Sequence, residues 1–208
     1  MLLRNEGLID VVHGLGSFVR EPEPIVRLRP DHLTRGWDPE DGPPEYEPPD
    51  DIRRPLLAPD ERTLRFDPAQ PDTTPAPPEV AQLLGVPTGA DVFVRRWDDM
   101  RGDSALAMVT AYVPRDVAKA AELTPTTLGA AMYVALADHG YSAVRVTEEV
   151  QARMPTAAET AALNVSDGVP VMSVQGVSYT ADDRPIAVSI SVMSAARYRL
   201  VYELQIEE

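Results

Sequence analysis

The prolines of this chain are concentrated in one segment. Residues 21–78 contain 15 of the 21 prolines, together with 14 acidic residues and 7 arginines, which gives a net charge of −7. Proline cannot donate a backbone hydrogen bond, and a charged segment with few apolar side chains buries too little surface to offset its ordering entropy. We therefore predict an extended or disordered linker over residues 21–72. It separates a short N-terminal piece, residues 1–20, from a folded domain, residues 73–208.

Composition excludes several classes of function. The 208 residues carry a formal net charge of −14, so any contact with DNA requires a local patch rather than the general surface. The chain has no cysteine, which excludes disulfides and thiolate catalysis and fits a cytoplasmic location. No apolar run approaches the ~20 residues of a membrane-spanning helix, and the N-terminus lacks the features of a signal peptide. We predict no association with a membrane.

The N-terminal piece contains two apolar runs, Leu8–Val12 and Ser17–Val19, on either side of the stretch His13-Gly14-Leu15-Gly16. Two glycines one residue apart allow backbone angles that other residues avoid, so the chain can reverse direction there. This pattern predicts a small β-hairpin, which is too short to bury a core of its own.

The C-terminal domain combines helix and strand patterns. Residues 156–164, "TAAETAALN", begin with Thr156 and Glu159 at the spacing of a capping box, which predicts a short helix. Two further helices are predicted in "PPEVAQLLGV" and "TLGAAMYVALADHG", and six strands in "ADVFVRRWDDM", "ALAMVTAYVP", "SAVRVTEEVQARMP", "VPVMSVQGVSYT", "RPIAVSISVMS" and "YRLVYELQI". We predict the α+β class, with a mostly antiparallel six-stranded sheet and flanking helices.

No set of residues indicates catalysis. His13, His32 and His139 have no metal-ligand spacing, and the chain has no G-x-S-x-G motif. We therefore predict no enzymatic activity, no catalytic residues, no metal site and no cofactor.

Arg95 and Arg96 are the charged residues of greatest interest. Strand alternation places them on opposite faces, so that one of them points inward or toward a rim. The inward arginine either forms an ion pair with Glu148, Glu149 or a nearby aspartate, or it binds an anionic ligand, because guanidinium matches carboxylate and phosphate groups. Tyr133, on a predicted helix, is either a core residue or a ligand contact.

The N-terminal piece resembles the end of the winged helix-turn-helix domain of GntR-type transcription regulators, in which "L-x-x-E-G-L-I" ends the recognition helix and "G-x-G-S/T-F-V" forms the wing tip. The matching residues are Glu6, Gly7, Leu8, Ile9, Gly14, Gly16, Ser17, Phe18 and Val19. The resemblance implies DNA contacts from Arg4, in the tail of the recognition helix, and from the wing residues His13, Gly14, Leu15, Gly16 and Ser17. It also implies that most of the recognition helix is missing, so this chain is expected to bind operator DNA weakly or not at all.

Residues from about 70 to 208 resemble the UTRA effector-binding domain of the HutC branch of that family, whose fold is similar to chorismate lyase. The matching stretches include "PPEVAQLLGV", "VRR", "AYVP", "EEVQARMPTAAETAALNV", "GVPVMSVQGVSY", "RPIAVSISVM" and "ARYRLVYEL". The resemblance implies a homodimeric regulator, such as a repressor, in which a small-molecule effector modulates operator binding. A stand-alone effector-binding and dimerisation module without DNA binding is the alternative.

The resemblance also implies ligand-binding roles for Arg95, Arg96, Trp97 and Tyr133. Sugar-phosphate sensors of this branch carry a second arginine where this chain has Trp97. Other polar positions of those sensors hold apolar residues in this chain, namely Val109, Ala131 and Ala187. We therefore expect a larger, more apolar effector with an anionic group held by Arg95.

Overall fold

The computed structural model describes residues 9–12, 14, 16–19, 26–28, 62–67, 72–101, 103–166 and 168–202. Its elements in chain order are β1 (Ile9–Val12), β2 (Gly16–Val19), β3 (Val26–Leu28), β4 (Arg62–Arg65), β5 (Thr73–Pro75), α1 (Pro78–Leu84), β6 (Asp91–Arg101), β7 (Ser104–Pro114), α2 (Arg115–Ala120), α3 (Ala130–Asp138), β8 (Arg145–Arg153), α4 (Ala157–Leu163), β9 (Val171–Tyr179), β10 (Pro185–Ser194) and β11 (Tyr198–Leu200).

Seven strands form the main sheet, in the order β4-β6-β7-β10-β9-β8, with β5 also paired to β6. Every pair in this sheet is antiparallel. β5 lies opposite residues 91–93 of β6 and β4 lies opposite residues 98–101, on the same edge. The two short strands therefore leave residues 94–97 of β6 between them.

Helices cover both faces of the sheet. On one face α1 packs over Val92, Val94 and Val188, and α4 packs near Val171 and Val192 farther along. On the opposite face, which we call the α3 face, Met132 and Leu136 of α3 are buried with a cluster of sheet residues that includes Phe93, Trp97, Val113 and Ala187. Because the sheet is covered on both faces, no residue of β9 or β10 is exposed, and the polar side chains in these two strands are mostly small serines.

Local signals determine where the short helices begin and end. Pro78 occupies the first turn of α1, and Gly85 ends this helix in the left-handed conformation at φ 64°. The capping box of α4 is present, because the Glu159 backbone N–H donates to Thr156 Oγ1 at 3.2 Å and the Thr156 N–H donates to Glu159 Oε2 at 2.7 Å. The capping-box prediction from sequence is confirmed.

A buried arginine joins α4 to the sheet. The Arg197 guanidinium donates to the carbonyl oxygens of Leu163 at 2.7 Å, Asn164 at 3.3 Å and Ala105 at 3.3 Å. Leu163 and Asn164 form the end of α4, where carbonyl groups lack partners within the helix. Arg197 therefore supplies the donors that this helix end needs where it packs against β7.

The α+β class and the mostly antiparallel sheet are confirmed, but the strands differ in two respects from the prediction. Residues 198–200 of the last predicted strand form β11, which pairs in parallel with β3 outside the main sheet. Residues 26–28 and 62–65, within the predicted extended or disordered linker, form β3 and β4, which pair with strands of the domain. The physical reason is that β11 and the outer edge of the 11-residue β6 have backbone groups that need partners.

We expect the ion pair of α4 to make stability depend on acid pH. Arg153 donates to both carboxylate oxygens of Glu159, at 2.6 and 2.7 Å, and this pairing lowers the pKa of Glu159 to about 2 from its ordinary value of 4.5. Because the pKa is lower in the folded state, the stabilisation is complete above about pH 4.5 and is lost as the pH falls toward 2. Glu159→Gln should therefore lower the free energy of unfolding by about 2 kcal/mol at pH 7 and by much less near pH 2.

Urea denaturation across this pH range measures the difference. Glu79→Gln is the matched control, since Glu79 is an exposed acidic residue in the first turn of α1. It should change stability by less than about 0.5 kcal/mol at both pH values. A Glu159→Gln deficit that is equally large at pH 7 and pH 2 would contradict the assignment.

Candidate functional site

One row of residues crosses the α3 face at the middle of the sheet. Strand register places Arg95 of β6 opposite Ala111, Ala111 opposite Ser189, Ser189 opposite Gly176, and Gly176 opposite Glu148 of β8. With strands ~4.8 Å apart, this central row is roughly 19 Å long between its end Cα atoms. Its ends are charged and its three middle residues are small.

The guanidinium of Arg95 is almost fully buried, with 5% of the side chain exposed. Its Nη2 lies 2.7 Å from Asp72 Oδ1, its Nη1 donates to the Val94 carbonyl at 2.8 Å, and its Nε donates to the Thr124 carbonyl at 3.4 Å. The guanidinium carbon also lies 4.3 Å from the centre of the Phe93 ring. Of the partners that the sequence suggested, the structure supplies a nearby aspartate rather than Glu148 or Glu149.

Trp97 lies beside Arg95 on the α3 face, whereas Arg96 does not. Trp97 is buried in the same core cluster as Phe93 and lies directly opposite Val109 of β7. Arg96 points to the other face and is exposed. The structure therefore brings three of the four predicted ligand-binding residues, Arg95, Trp97 and Tyr133, to one face and separates Arg96 from them.

Tyr133 reaches from α3 down to the sheet. Its hydroxyl lies 3.2 Å from Ser178 Oγ on β9. Burial raises the pKa of Tyr133 above its ordinary value; hydrogen bonds with Ser178 and Ser189 act in the opposite direction, and the negative charge of Glu148 raises it further. The phenol is therefore protonated at neutral pH and forms a small hydroxyl cluster with Ser178 and Ser189 above the central row.

Glu148 occupies the other end of the central row. Its Oε2 accepts a hydrogen bond from the Tyr202 hydroxyl at 3.2 Å. Its Oε1 is buried and has no hydrogen-bond partner among the residues that the structure describes. This end of the row therefore offers an acceptor to a hydrogen-bond donor.

The sequence contained a signal for some of these residues and none for others. Ser189 and Ser191 alternate with apolar residues in the strand "AVSISV", which is the period of one polar face and a signal that could have identified them. Asp72 lies 23 residues before Arg95, and no local pattern joins the two. Only the pairing of β5 with β6 brings this aspartate to the guanidinium.

The N-terminal hairpin predicted from sequence is present. Ile9 of β1 pairs with Val19 of β2 and Val12 pairs with Gly16, and the turn contains Gly14 at φ 82°. Gly16, at φ 118°, also needs the conformational freedom of glycine. Gly14, Gly16 and Ser17 are exposed, whereas Arg4, His13 and Leu15 lie outside the described residues.

The part of the chain that the structure describes contains neither a metal-binding cluster nor a membrane-spanning helix. No group of three or more histidine, aspartate or glutamate side chains is placed to hold a metal ion. None of its helices is both long enough and apolar enough to cross a membrane.

We expect Tyr133→Phe to destabilise the domain by about 1 kcal/mol, because it leaves the buried Ser178 hydroxyl without this partner. Urea denaturation at pH 7 measures the change. Tyr141→Phe is the matched control, since Tyr141 is partly buried against the same cluster and its ring, rather than its hydroxyl, contacts Arg184. Equal losses in the two variants would show that the Tyr133–Ser178 contact contributes nothing measurable.

Comparison with known proteins agrees with this architecture. The family model described as the UTRA domain matches residues 68–199. An HTH-type transcriptional regulator of Streptomyces coelicolor is 26% identical over 99% of this chain and 76% of its own length. One from Mycobacterium tuberculosis is 31% identical over 66% of this chain, which spans only 51% of that protein.

Among solved structures, the effector domain of PhnF from Mycobacterium smegmatis matches with a TM-score of 0.58 and 21% identity, over 70% of this chain and 86% of that domain. Other structures with this fold are GntR-family transcriptional regulators. The relatives are regulators of transcription and not enzymes, in agreement with the prediction from sequence. This chain therefore belongs to the UTRA-domain family of transcriptional regulators.

Proposed function

We propose that this chain is part of a DNA-binding transcriptional regulator whose UTRA domain binds a small-molecule effector and thereby modulates operator binding. One observation carries the proposal. A buried guanidinium, Arg95, lies in an apolar cluster of the sheet face beside Phe93 and Trp97, and its charge is balanced by a carboxylate that is half exposed to solvent. Solvent therefore reaches the partner of this buried cation, so an anion from solution can approach the guanidinium there.

The neighbouring residues define the chemistry of the effector. Arg95 holds an anionic group, carboxylate or phosphate, by charge-assisted hydrogen bonds. Trp97 and Val109 supply an apolar surface beside it. The hydroxyl of Tyr133 and the free oxygen of Glu148 supply polar contacts farther along the row. The effector is thus an organic anion with an apolar body, larger than a phosphorylated sugar.

The DNA-binding part of the proposal concerns the hairpin. In this proposal, strands β1 and β2 form the wing, and the exposed tip at Gly14 and Gly16 approaches the DNA backbone, where the absence of side chains permits close contact. His13, Leu15, Ser17 and Arg4 would lie near the same contact. Contacts of this type position the protein, while base recognition requires a helix in the major groove. The regulator acts as a homodimer in the cytoplasm.

A ligand screen with two arginine variants tests the effector site. Organic anions and sugar phosphates are added to the chain, and thermal unfolding is followed by fluorescence. A ligand that binds only the folded state stabilises it by RT ln(1 + [L]/Kd), about 2.7 kcal/mol at a hundredfold excess over Kd. The stabilisation should be lost in Arg95→Ala and retained in Arg96→Ala, the matched control on the opposite face.

Stabilisation that survives in Arg95→Ala would contradict the assignment of Arg95. A well-folded dimer that no anion in the screen stabilises would favour a dimerisation module without an effector.

A further inference from the structure

The partner of Arg95 comes from the segment that leads into the domain. Asp72 immediately precedes β5 and lies beside residues 94–97, which β4 and β5 leave between them. The Asp72 carbonyl accepts a hydrogen bond from the Val94 N–H at 2.9 Å, while its carboxylate binds Arg95 at 2.7 Å. Asp72 is thus attached to β6 through both its main chain and its side chain.

The carboxylate of Asp72 occupies the place that an anionic ligand needs. Three of the five guanidinium N–H groups are engaged, two with the carbonyls of Val94 and Thr124 and one, on Nη2, with Asp72. A second anion at Nη2 would lie next to the Asp72 carboxylate, and the two negative charges would repel each other. Removing Asp72 without replacement would leave a buried charge unpaired, which is costly. If the anionic ligand replaces Asp72, the two negative charges do not lie side by side and the buried guanidinium stays paired.

Asp72 and Arg95 differ in their exposure to solvent. Half of the Asp72 side chain is exposed, whereas 5% of Arg95 is exposed. A carboxylate arriving from solvent therefore meets Asp72 first and can replace it without opening the core. β5 is held to β6 by only three residue pairs, Thr73 with Phe93, Thr74 with Val92 and Pro75 with Asp91. Loss of the Asp72 contacts removes the attachment at the start of this short strand.

We propose that Asp72 is a built-in competitor for the anionic group of the effector, so that effector binding at Arg95 releases Asp72 and the start of β5 from β6. The inference rests on the proposed function of Arg95 and adds the regulation of that site. Because coupling between two sites is reciprocal, an attached Asp72 weakens effector binding by the same factor by which the effector weakens the attachment. The released residues lie on the chain path between the hairpin and the domain.

Anion titrations of charge-neutral variants test this competition. The probes are inorganic phosphate and acetate, and binding is followed by the NMR signal of the Trp97 indole N–H group, which lies on the same face as residue 95 and is present in every variant. Asp72→Asn should bind the probes about tenfold more tightly than the unmodified chain. Asp91→Asn is the matched control, because Asp91 also is 50% exposed and also pairs with an arginine, Arg115, at 2.7 Å. It should leave probe affinity nearly unchanged, which separates competition from the general effect of one fewer negative charge.

The outcomes distinguish the two proposals. Binding that is lost in Arg95→Ala but is equal in Asp72→Asn and Asp91→Asn would overturn the competition while leaving the anion site intact. Failure of both probes to bind even Asp72→Asn would overturn the anion site itself.

Amide hydrogen exchange gives a second measurement on the unmodified chain. Saturating phosphate should accelerate exchange of the Val94 amide, which donates to Asp72, without accelerating that of Ala76, which donates to Ala90 at 2.8 Å. Slower exchange of the Val94 amide on phosphate binding would contradict the release.

Discussion

Burial of both faces of a single antiparallel sheet is the constraint on which the rest of this structure depends. Many antiparallel sheets expose one face to water and alternate polar with apolar residues. Here α1 and α4 cover one face and α3 covers the other, so no residue of β9 or β10 is exposed. A polar side chain inside such a sandwich must find a partner. Arg95, Ser178 and Ser189 are three such buried polar residues, and all three lie on the α3 face.

Local signals were sufficient to predict much of the fold from the sequence. The glycines at 14 and 16 indicated the hairpin, and Thr156 with Glu159 indicated the start of α4. Strand alternation placed Arg95 and Arg96 on opposite faces, as the structure has them. In each case the residues that determine the feature are close in sequence, and simple periodicity or capping chemistry relates them.

The features that could not be predicted are those in which distant parts of the chain meet. The segment rich in proline and acidic residues indicated a linker, but an unpaired edge of β6 recruits β4 and β5 from its end, and β11 recruits β3 from near its start. Composition describes what a segment prefers in isolation and contains no information about an edge that needs partners. For the same reason the candidate site was half predicted: Arg95 and Tyr133 were identified, whereas Asp72 and the two serines were not.

The family relationship and the geometry support each other. The resemblance placed Trp97 and Val109 at positions that are polar in sugar-phosphate sensors, and the structure makes them direct neighbours on adjacent strands of the α3 face. Two substitutions that face each other change one continuous surface. In the proposed effector site, one end is cationic and the surface beside it is apolar, which is the physical basis for proposing an effector with an apolar body.

The parallel pairing of β3 with β11 has a mechanical consequence. Val26 pairs with Tyr198 and Leu28 with Leu200, so only residues 20–25 separate the hairpin from its first attachment to the end of the domain. Because the pairing is parallel, the end of β3 that leads to the hairpin and the end of β11 that follows β10 lie side by side at Val26 and Tyr198. Tension from the hairpin thus falls first on this end of the pair and enters the domain next to β10.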